Sequence, residues 1–339
     1  MGRYLGKRLL YIVLVFFLLS FLIFSIYNLL PVDKAAEAAR AELAGNPLLD
    51  YDQRYQYWQE RYGTNGSLVE RYLRWLGLGP YADGGYRGLL QGNLGTSSSY
   101  GKPVLQVLKE PMGNTVLLNL CATFLGLAIT IPLGCFCALR RGSRRDLAIQ
   151  TGTMIGYSLP AFIIAIVFIW LFAVLLGWFP VSGMQTAGSA GWPPLRRFWD
   201  RLYHLALPLL VMTFCSLGGM TRYVRAAMVE ALGMDCIRTA RAKGLPERVV
   251  IWSHAWRNAL LPVVTLIIGW FLSIFSGSLM IENIFALNGI GKVYFDALQK
   301  SDNDVILALQ MFYILVSLLG NLFTDIAYGL ADPRIRVNS

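Results

Sequence analysis

Charge is what this chain has least of: 15% of its 339 residues are Asp, Glu, Lys or Arg, against about 25% in an ordinary soluble domain. It holds two histidines, His204 and His254, which read as interface or surface residues, and no metal site is expected. The five cysteines, Cys121, Cys135, Cys137, Cys215 and Cys236, fall in apolar runs or in one basic interval, which leaves no disulfide framework. Cys135 and Cys137 point to different faces of a helix, so they read as packing residues and not as a metal pair. No Gly-x-x-x-x-Gly-Lys-Ser/Thr occurs, because the one lysine followed by Ser or Thr, Lys300, is preceded by Gln299; nucleotide binding by that loop is excluded. His-Glu-x-x-His, a Gly-x-Ser-x-Gly elbow and clustered acids suited to intramembrane hydrolysis are missing as well. These absences favour a conduit over an enzyme.

What the chain has is long apolar runs, with 55% hydrophobic residues overall. Leu9 to Leu30 is uncharged and follows Arg3, Lys7 and Arg8; it exceeds the roughly 7–15 apolar residues of a secretory signal and is expected to be an uncleaved first span. Further spans are expected at about Asn114 to Leu139, Ala148 to Leu176, His204 to Met220, Ala259 to Ile281 and Val305 to Leu330. Pro160 should kink the third. The fold class is thus an all-α polytopic membrane protein with six transmembrane helices. Its expected divisions are residues 1–31 (cytoplasmic N-terminus and first span), 32–112 (an extracytoplasmic cap) and 113–339 (a five-helix core with a polar loop, 221–258).

Within the cap, Asp33 to Leu43, Tyr51 to Tyr62 and Ser67 to Leu76 read as short helices. Their aromatics pack the cap on itself and on the membrane interface, the reading preferred over a ligand-binding set. The net charge of +10 follows topology: sixteen Lys/Arg fall on the expected cytoplasmic segments, and the fourteen outside are balanced by fourteen Asp/Glu. Both termini are therefore placed inside, and the basic excess is no sign of a nucleic-acid partner. Membrane lipid is the expected surrounding.

The loop 221–258 carries Arg222, Arg225, Arg238, Arg241, Lys243, Arg248 and Arg257. Arg238 to Ala242 tolerate a helix, Gly244 can take the positive φ that ends one, and Pro246 suits the first turn of the next, beside Glu247. Elsewhere, Tyr157, Ser158, Pro160 and Met220 are candidates for lining a path, though the Pro160 kink can equally be a packing device. Asp325 is an acid at membrane depth.

Arg238-Thr-Ala-Arg-Ala-Lys-Gly244-Leu with Arg257-Asn-Ala-Leu-Leu-Pro262 resembles the cytoplasmic "EAA" coupling loop of ABC importer permeases, in the version of the oligopeptide, dipeptide and nickel permease family. Arg238-Thr239-Ala240 takes the place of Glu-Ala-Ala. Leu90-Gln-Gly-Asn93-Leu-Gly95-Thr-Ser, Gly156-Tyr-Ser-Leu-Pro160 and Glu282-Asn-Ile-Phe285-Ala-Leu-Asn288-Gly-Ile-Gly291 are similar to further stretches of that family, with Asn93 for an acid and Asn288 for a proline.

The resemblance, to a first or "B"-type permease subunit with the type I importer fold, covers most of Gly92 to Arg336. It implies a non-catalytic subunit in the cytoplasmic (inner) membrane of a bacterium or archaeon, forming half of a path for di- or oligopeptides. It further implies a second homologous permease chain as heterodimer partner, two ABC ATPase chains that bind ATP and Mg, and an extracytoplasmic binding protein that delivers substrate. No cofactor is expected on this chain. Arg238, Thr239, Ala240, Arg241, Ala242, Lys243, Gly244, Leu245 and Pro246 would contact the ATPase, and Asp325 would pair with the basic loop as a structural acid. Nickel chelates or oligosaccharides stay open as cargo, and a secondary transporter or channel stays open as a different class.

Overall fold

The computed structural model describes residues 2–30 and 33–331. Asp332, Arg334 and Arg336 of the expected cytoplasmic tail lie outside the described residues, as does the 31–32 boundary of the first span. In chain order the first helices are α1 (Gly2–Asn28), α2 (Lys34–Gly45), α3 (Tyr51–Tyr62), α4 (Leu68–Leu76) and α5 (Val104–Leu139). They are followed by α6 (Arg144–Ser158), α7 (Ala161–Phe168), α8 (Pro194–Leu232), α9 (Asp235–Ala242) and α10 (Glu247–Val249). The last are α11 (Trp256–Ser273), α12 (Leu279–Ile284), α13 (Ile290–Gln299) and α14 (Asn303–Ala331). Among the described residues there is no strand, and Thr96 and Pro103 form an isolated antiparallel bridge. The chain groups into two units, Met1–Lys109 with Tyr294–Leu318, and Glu110–Val293 with Leu319–Ser339.

In the first unit, each short helix starts where a side chain satisfies the free amides of its first turn. Asp33 accepts from the amides of Ala35 and Ala36, Asp50 from Gln53, and Ser67 with Glu70 forms a reciprocal capping box. Arg54 makes a two-point ion pair with Glu42, and Tyr55 Oη donates to Asp33 Oδ2 at 2.5 Å, so α2 and α3 are bound side by side. Phe24, Tyr72, Leu76 and Leu307 share a buried cluster, and Tyr72 Oη lies 2.7 Å from Ser20 Oγ of α1. Tyr51 stacks on Tyr55 and Trp58 on Tyr62. The cap aromatics thus pack against one another and against α1. Asp302 accepts from Ser97 Oγ (2.5 Å) and the Ser99 amide (3.0 Å), while Asp304 pairs with Lys34 and accepts from the Thr96 amide.

The spine of the second unit is α8, whose 39 residues extend about 58 Å at 1.5 Å per residue, nearly twice the ~30 Å of a bilayer core. Leu205, Leu207, Leu209 and Val211 enter one buried cluster with Leu118, Ile164 and Phe285; Met220, Val224, Met228 and Ala231 enter a second with Cys135, Ile237, Val250 and Val263. A close crossing with α6 is possible because residue 218 is glycine: a Cβ there would lie 2.3 Å from the Thr153 carbonyl oxygen. At the start of α6 the carboxylate of Asp146, fully buried, makes a two-point pair with Arg225 of α8, Oδ1 to Nε at 2.8 Å and Oδ2 to Nη2 at 2.7 Å. Asp146 also accepts from the Gly142 amide and from Gln150 Nε2.

Four helical stretches among the described residues are long and apolar enough to cross a membrane: Gly6–Asn28, Val104–Leu139, Pro194–Leu232 and Asn303–Ile326. The expected third span is not one kinked helix. Leu159 and Pro160 are both extended (φ/ψ −86/141° and −56/136°), and α6 and the α7 segment that continues to Leu175 meet at 105°. The ring of Pro160 disfavours the helical region for its predecessor, and here both Leu159 and Pro160 leave it, so the helix breaks outright. The expected fifth span also ends early, at Ser273, where Ile274, Ser276, Gly277 and Ser278 follow; Gly and Ser are poor helix formers. The expected fourth span is longer than its apolar run, since α8 continues through Thr221 to Leu232, and loop 221–258 therefore begins as helix.

Arg225→Met should strand the buried Asp146 carboxylate and cost about 3–5 kcal/mol. The expected outcome is a clearly lowered thermal midpoint in detergent, mostly restored by adding Asp146→Asn. An unchanged midpoint in the single variant would remove the pair from the account of stability.

Candidate functional site

The basic turn is built by a helix stop. Past Ala242 the amide of Gly244 donates to the Arg241 carbonyl at 2.9 Å and that of Leu245 to the Ala240 carbonyl at 3.3 Å, the paired bonds of a Schellman motif. The motif needs a left-handed residue, and Gly244 supplies it at φ +75°, with open space where a Cβ would sit. Pro246 lies one position earlier than a first-turn residue: it is extended (φ −54°, ψ 137°) and precedes Glu247, the first residue of α10. Residues 250–255 continue as a wider π-type turn into α11.

Two sides of α9 differ. Ile237 and Ala240 are buried in the cluster with Met228, Val250 and Ala255, whereas Arg238, Thr239, Arg241, Ala242, Lys243, Gly244, Leu245 and Pro246 are exposed. Ala240 thus seats the helix, while its neighbours form an outward surface. Arg241 bridges the turn to Glu247, Nη2 to Oε1 at 2.6 Å and Nε to Oε2 at 3.2 Å. That hydrogen bonding holds the Glu247 carboxyl below the usual carboxylate range. The bridge is consequently complete above the ordinary carboxylate pKa and lost as pH falls through the lowered value.

A cavity of about 510 Å³ opens between α5, α6, α8 and α11. Its polar lining is Asn119, Thr123, Tyr157, Ser216, Tyr223 and Ser273, beside Met220 and Trp270. Of the path candidates, the structure brings Tyr157 and Met220 into this lining. Ser158 and Pro160 are not part of it: they are exposed at the break after α6. Arg222 sits behind, its guanidinium 5.0 Å from the centre of the Tyr157 ring. Asp325 is half-buried on α14.

A third feature lies in the 282–291 stretch, which the sequence marked by resemblance without showing what its acid does. Glu282 is fully buried and accepts four hydrogen bonds: from Thr115 Oγ1 (2.8 Å), and from the amides of Gly291 (2.7 Å), Lys292 (3.2 Å) and Ser278 (3.3 Å). Burial raises its carboxyl above the ordinary range, against the pull of these donors. Asn119 Nδ2 donates to the carbonyls of Ile274 (2.9 Å) and Ser276 (2.8 Å), at the end of α11. The signal for both was present in α5 as Thr115, Asn119 and Thr123, one polar stripe at four-residue spacing. Among the described residues no three His, Cys, Asp or Glu side chains are grouped to hold a metal.

The family model described as "Binding-protein-dependent transport system inner membrane component" matches residues 130–337. The oligopeptide transport system permease protein AppB of Bacillus subtilis (strain 168) is 37% identical over 89% of this chain and 91% of its own. The di/tripeptide transport system permease protein DppB of Pseudomonas aeruginosa (strain UCBPP-PA14) is 32% identical over 99% of each chain. Among solved structures, an inward-facing MetNI methionine ABC transporter matches 66% of this chain and 96% of that chain, with 17% identity and a TM-score of 0.48. The chain belongs to the family of binding-protein-dependent transport system inner membrane components. It is a multi-pass ABC importer permease of the inner membrane, a transport subunit and not an enzyme, and the secondary-transporter and channel readings fall away.

Glu282→Gln should cost about 1–3 kcal/mol, because its amide hydrogens would oppose amide donors, and Glu282→Leu should cost more by leaving all four donors unanswered. Thermal midpoints in detergent should fall in the order wild type, Gln, Leu. A leucine variant as stable as wild type would show that the hydrogen bonds do not hold the 278–292 turn.

Proposed function

We propose that this chain forms half of the translocation path of an ATP-driven importer for di- or oligopeptides. The observation that carries the reading is similarity over nearly the whole chain to permeases named for oligopeptide and di/tripeptide transport, which favours peptides over nickel chelates or oligosaccharides. The family calls for an ATPase and a substrate-binding protein as partners. In this reading a second, homologous permease chain completes the path, two ABC ATPase chains bind ATP and Mg, and this chain binds no cofactor.

Six spans with both termini cytoplasmic fit the basic segments, with α6 and α7 as one broken span and α11 as a short one. Residues 32–112 then form an extracytoplasmic cap. The surface of Arg238, Thr239, Arg241, Ala242 and Lys243, with the turn Gly244-Leu245-Pro246, sits in a groove on the ATPase, and Ala240 holds it to the core. Because α9 is buried along one side in the same cluster as α8 and α11, displacement of the turn moves those helices as a body. Asp325 pairs with the basic loop from α14. Tyr157 and Met220 face the path, and Ser158 and Pro160 shape the break after α6.

Gly244→Val tests the coupling. A β-branched residue opposes the left-handed conformation by roughly 1–2 kcal/mol, and the open space around it leaves insertion intact. Peptide-stimulated ATP hydrolysis without peptide uptake is the expected result in reconstituted vesicles; uptake at the wild-type rate would remove the turn from the coupling mechanism. Mild-detergent purification should recover a second permease and a Walker-motif ATPase with this chain. Recovery of a homo-oligomer alone, under every gentle condition, would end the importer assembly proposed above.

A further inference from the structure

The turn between α5 and α6 carries Arg140, Arg141, Arg144 and Arg145, and all four are exposed. The acid beside them is already engaged: Asp146 is fully buried, its oxygens taken by Arg225, Gln150 and the Gly142 amide. Among the described residues none of these four arginines forms an ion pair, whereas the basic turn after α9 answers Arg238 with Asp235 and Arg241 with Glu247. The four also stand where two outward apolar faces end. On α5, Leu125, Ile129, Phe136 and Leu139 lie on the side opposite Gly134, which abuts Val224 of α8. On α6, the exposed Leu147, Met154 and Ile155 lie opposite Asp146 and Thr153, which meet that same helix. Arg140 bends back along the first face, its guanidinium 4.6 Å from the centre of the Phe136 ring, the posture of a cation that keeps its stem on apolar surface.

We infer that this turn binds the phosphate of an anionic phospholipid whose acyl chains lie along the outward faces of α5 and α6. A lipid answers both parts of the arrangement. A free anion would use only the arginines, and a soluble protein would leave Leu125, Ile129, Met154 and Ile155 uncovered. The planar fork of arginine meets phosphate oxygens in two-point bonds, and a basic cluster immediately beside membrane-crossing helices draws anionic headgroups. Topology accounts for the number of arginines on this turn, but not for the seat of Arg140 on Phe136 or for the engagement of the adjacent acid. Because Asp146 fastens the start of α6 to α8 through Arg225, a headgroup held here braces the spine of the second unit. The inference rests on the reading that places residues 140–145 at the cytoplasmic face of the membrane.

The test uses the complete transporter in phosphatidylcholine vesicles that carry a trace of phosphatidylglycerol or phosphatidylcholine with a photoactivatable acyl chain. Mass spectrometry then reads the label on residues 125–155. Wild type should take up the glycerol lipid at least about tenfold over the choline lipid. Arg144→Gln with Arg145→Gln should bring that ratio close to one, since each charge near an anionic headgroup is worth about fivefold. Equal labelling of wild type by the two lipids would overturn the site. Arg196→Gln with Arg197→Gln, exposed at the start of α8, should leave the ratio unchanged; an equal loss there would assign the preference to net charge and overturn it as well. Excess inorganic phosphate at constant ionic strength should displace little of the label, and its complete loss would make the turn a site for the free anion instead. Should the Arg144 and Arg145 variant fail to fold, the wild-type ratio and the phosphate competition decide. The topology is checked apart, with Arg141→Cys in a Cys236→Ser chain and an impermeant maleimide. Labelling in inverted membranes without any lipid preference defeats the inference alone, whereas labelling only in intact spheroplasts defeats the topology beneath it.

Discussion

Lipid offers no hydrogen bonds, so a chain that crosses it must satisfy its own backbone, and side chains are one means of answering a departure from helix. The second unit is organised around such answers. Where α11 stops, the amide of Asn119 takes up the carbonyls of Ile274 and Ser276. Where the chain turns between α12 and α13, Glu282 collects the amides of Ser278, Gly291 and Lys292. Before α6, Asp146 receives the Gly142 amide and ties it to Arg225. The polar stripe of α5 serves this purpose from one helix: Thr115 reaches Glu282, Asn119 closes the end of α11, and Thr123 faces the cavity.

Sealing and access are therefore neighbours. The same side of α5 that closes two backbone breaks also forms a wall of the cavity, to which α6 contributes Tyr157 two residues before its break. An uninterrupted bundle of apolar helices would need none of these polar groups and would leave no uncharged polar surface for a passing molecule. Membrane proteins tolerate irregular backbone where it is buried in protein or lines a cavity.

The features legible in the sequence are the local ones. The cap helices, the basic turn and the left-handed Gly244 are each decided within a few residues, by a capping side chain or a single φ. The extent of the break at Pro160 was not legible, because a proline in a helix sets only a minimum disturbance; whether its predecessor also leaves the helix depends on packing. Arg222 and Arg225 suggested a loop, yet they continue α8, since Val224, Met228 and Ala231 keep one face apolar and buried. Ala240 belonged by its pattern to the exposed motif and turns out to be its anchor. Asn119 became meaningful only when residues more than 150 positions away were brought to it, whereas Glu282 gathers three amides from its own turn and one distant hydroxyl.

The length of α8 sets the scale on which this molecule can respond. One helix contributes to both buried clusters, carries Met220 and Tyr223 on the cavity wall, and ends two residues before α9, whose Ile237 and Ala240 share its second cluster. A rod of about 58 Å tilted by ~10° about its middle carries its two ends ~5 Å in opposite directions, a displacement of one helical turn. Such a lever would have its load near the fulcrum, so that a large swing at the basic turn would become a small adjustment of the cavity's width.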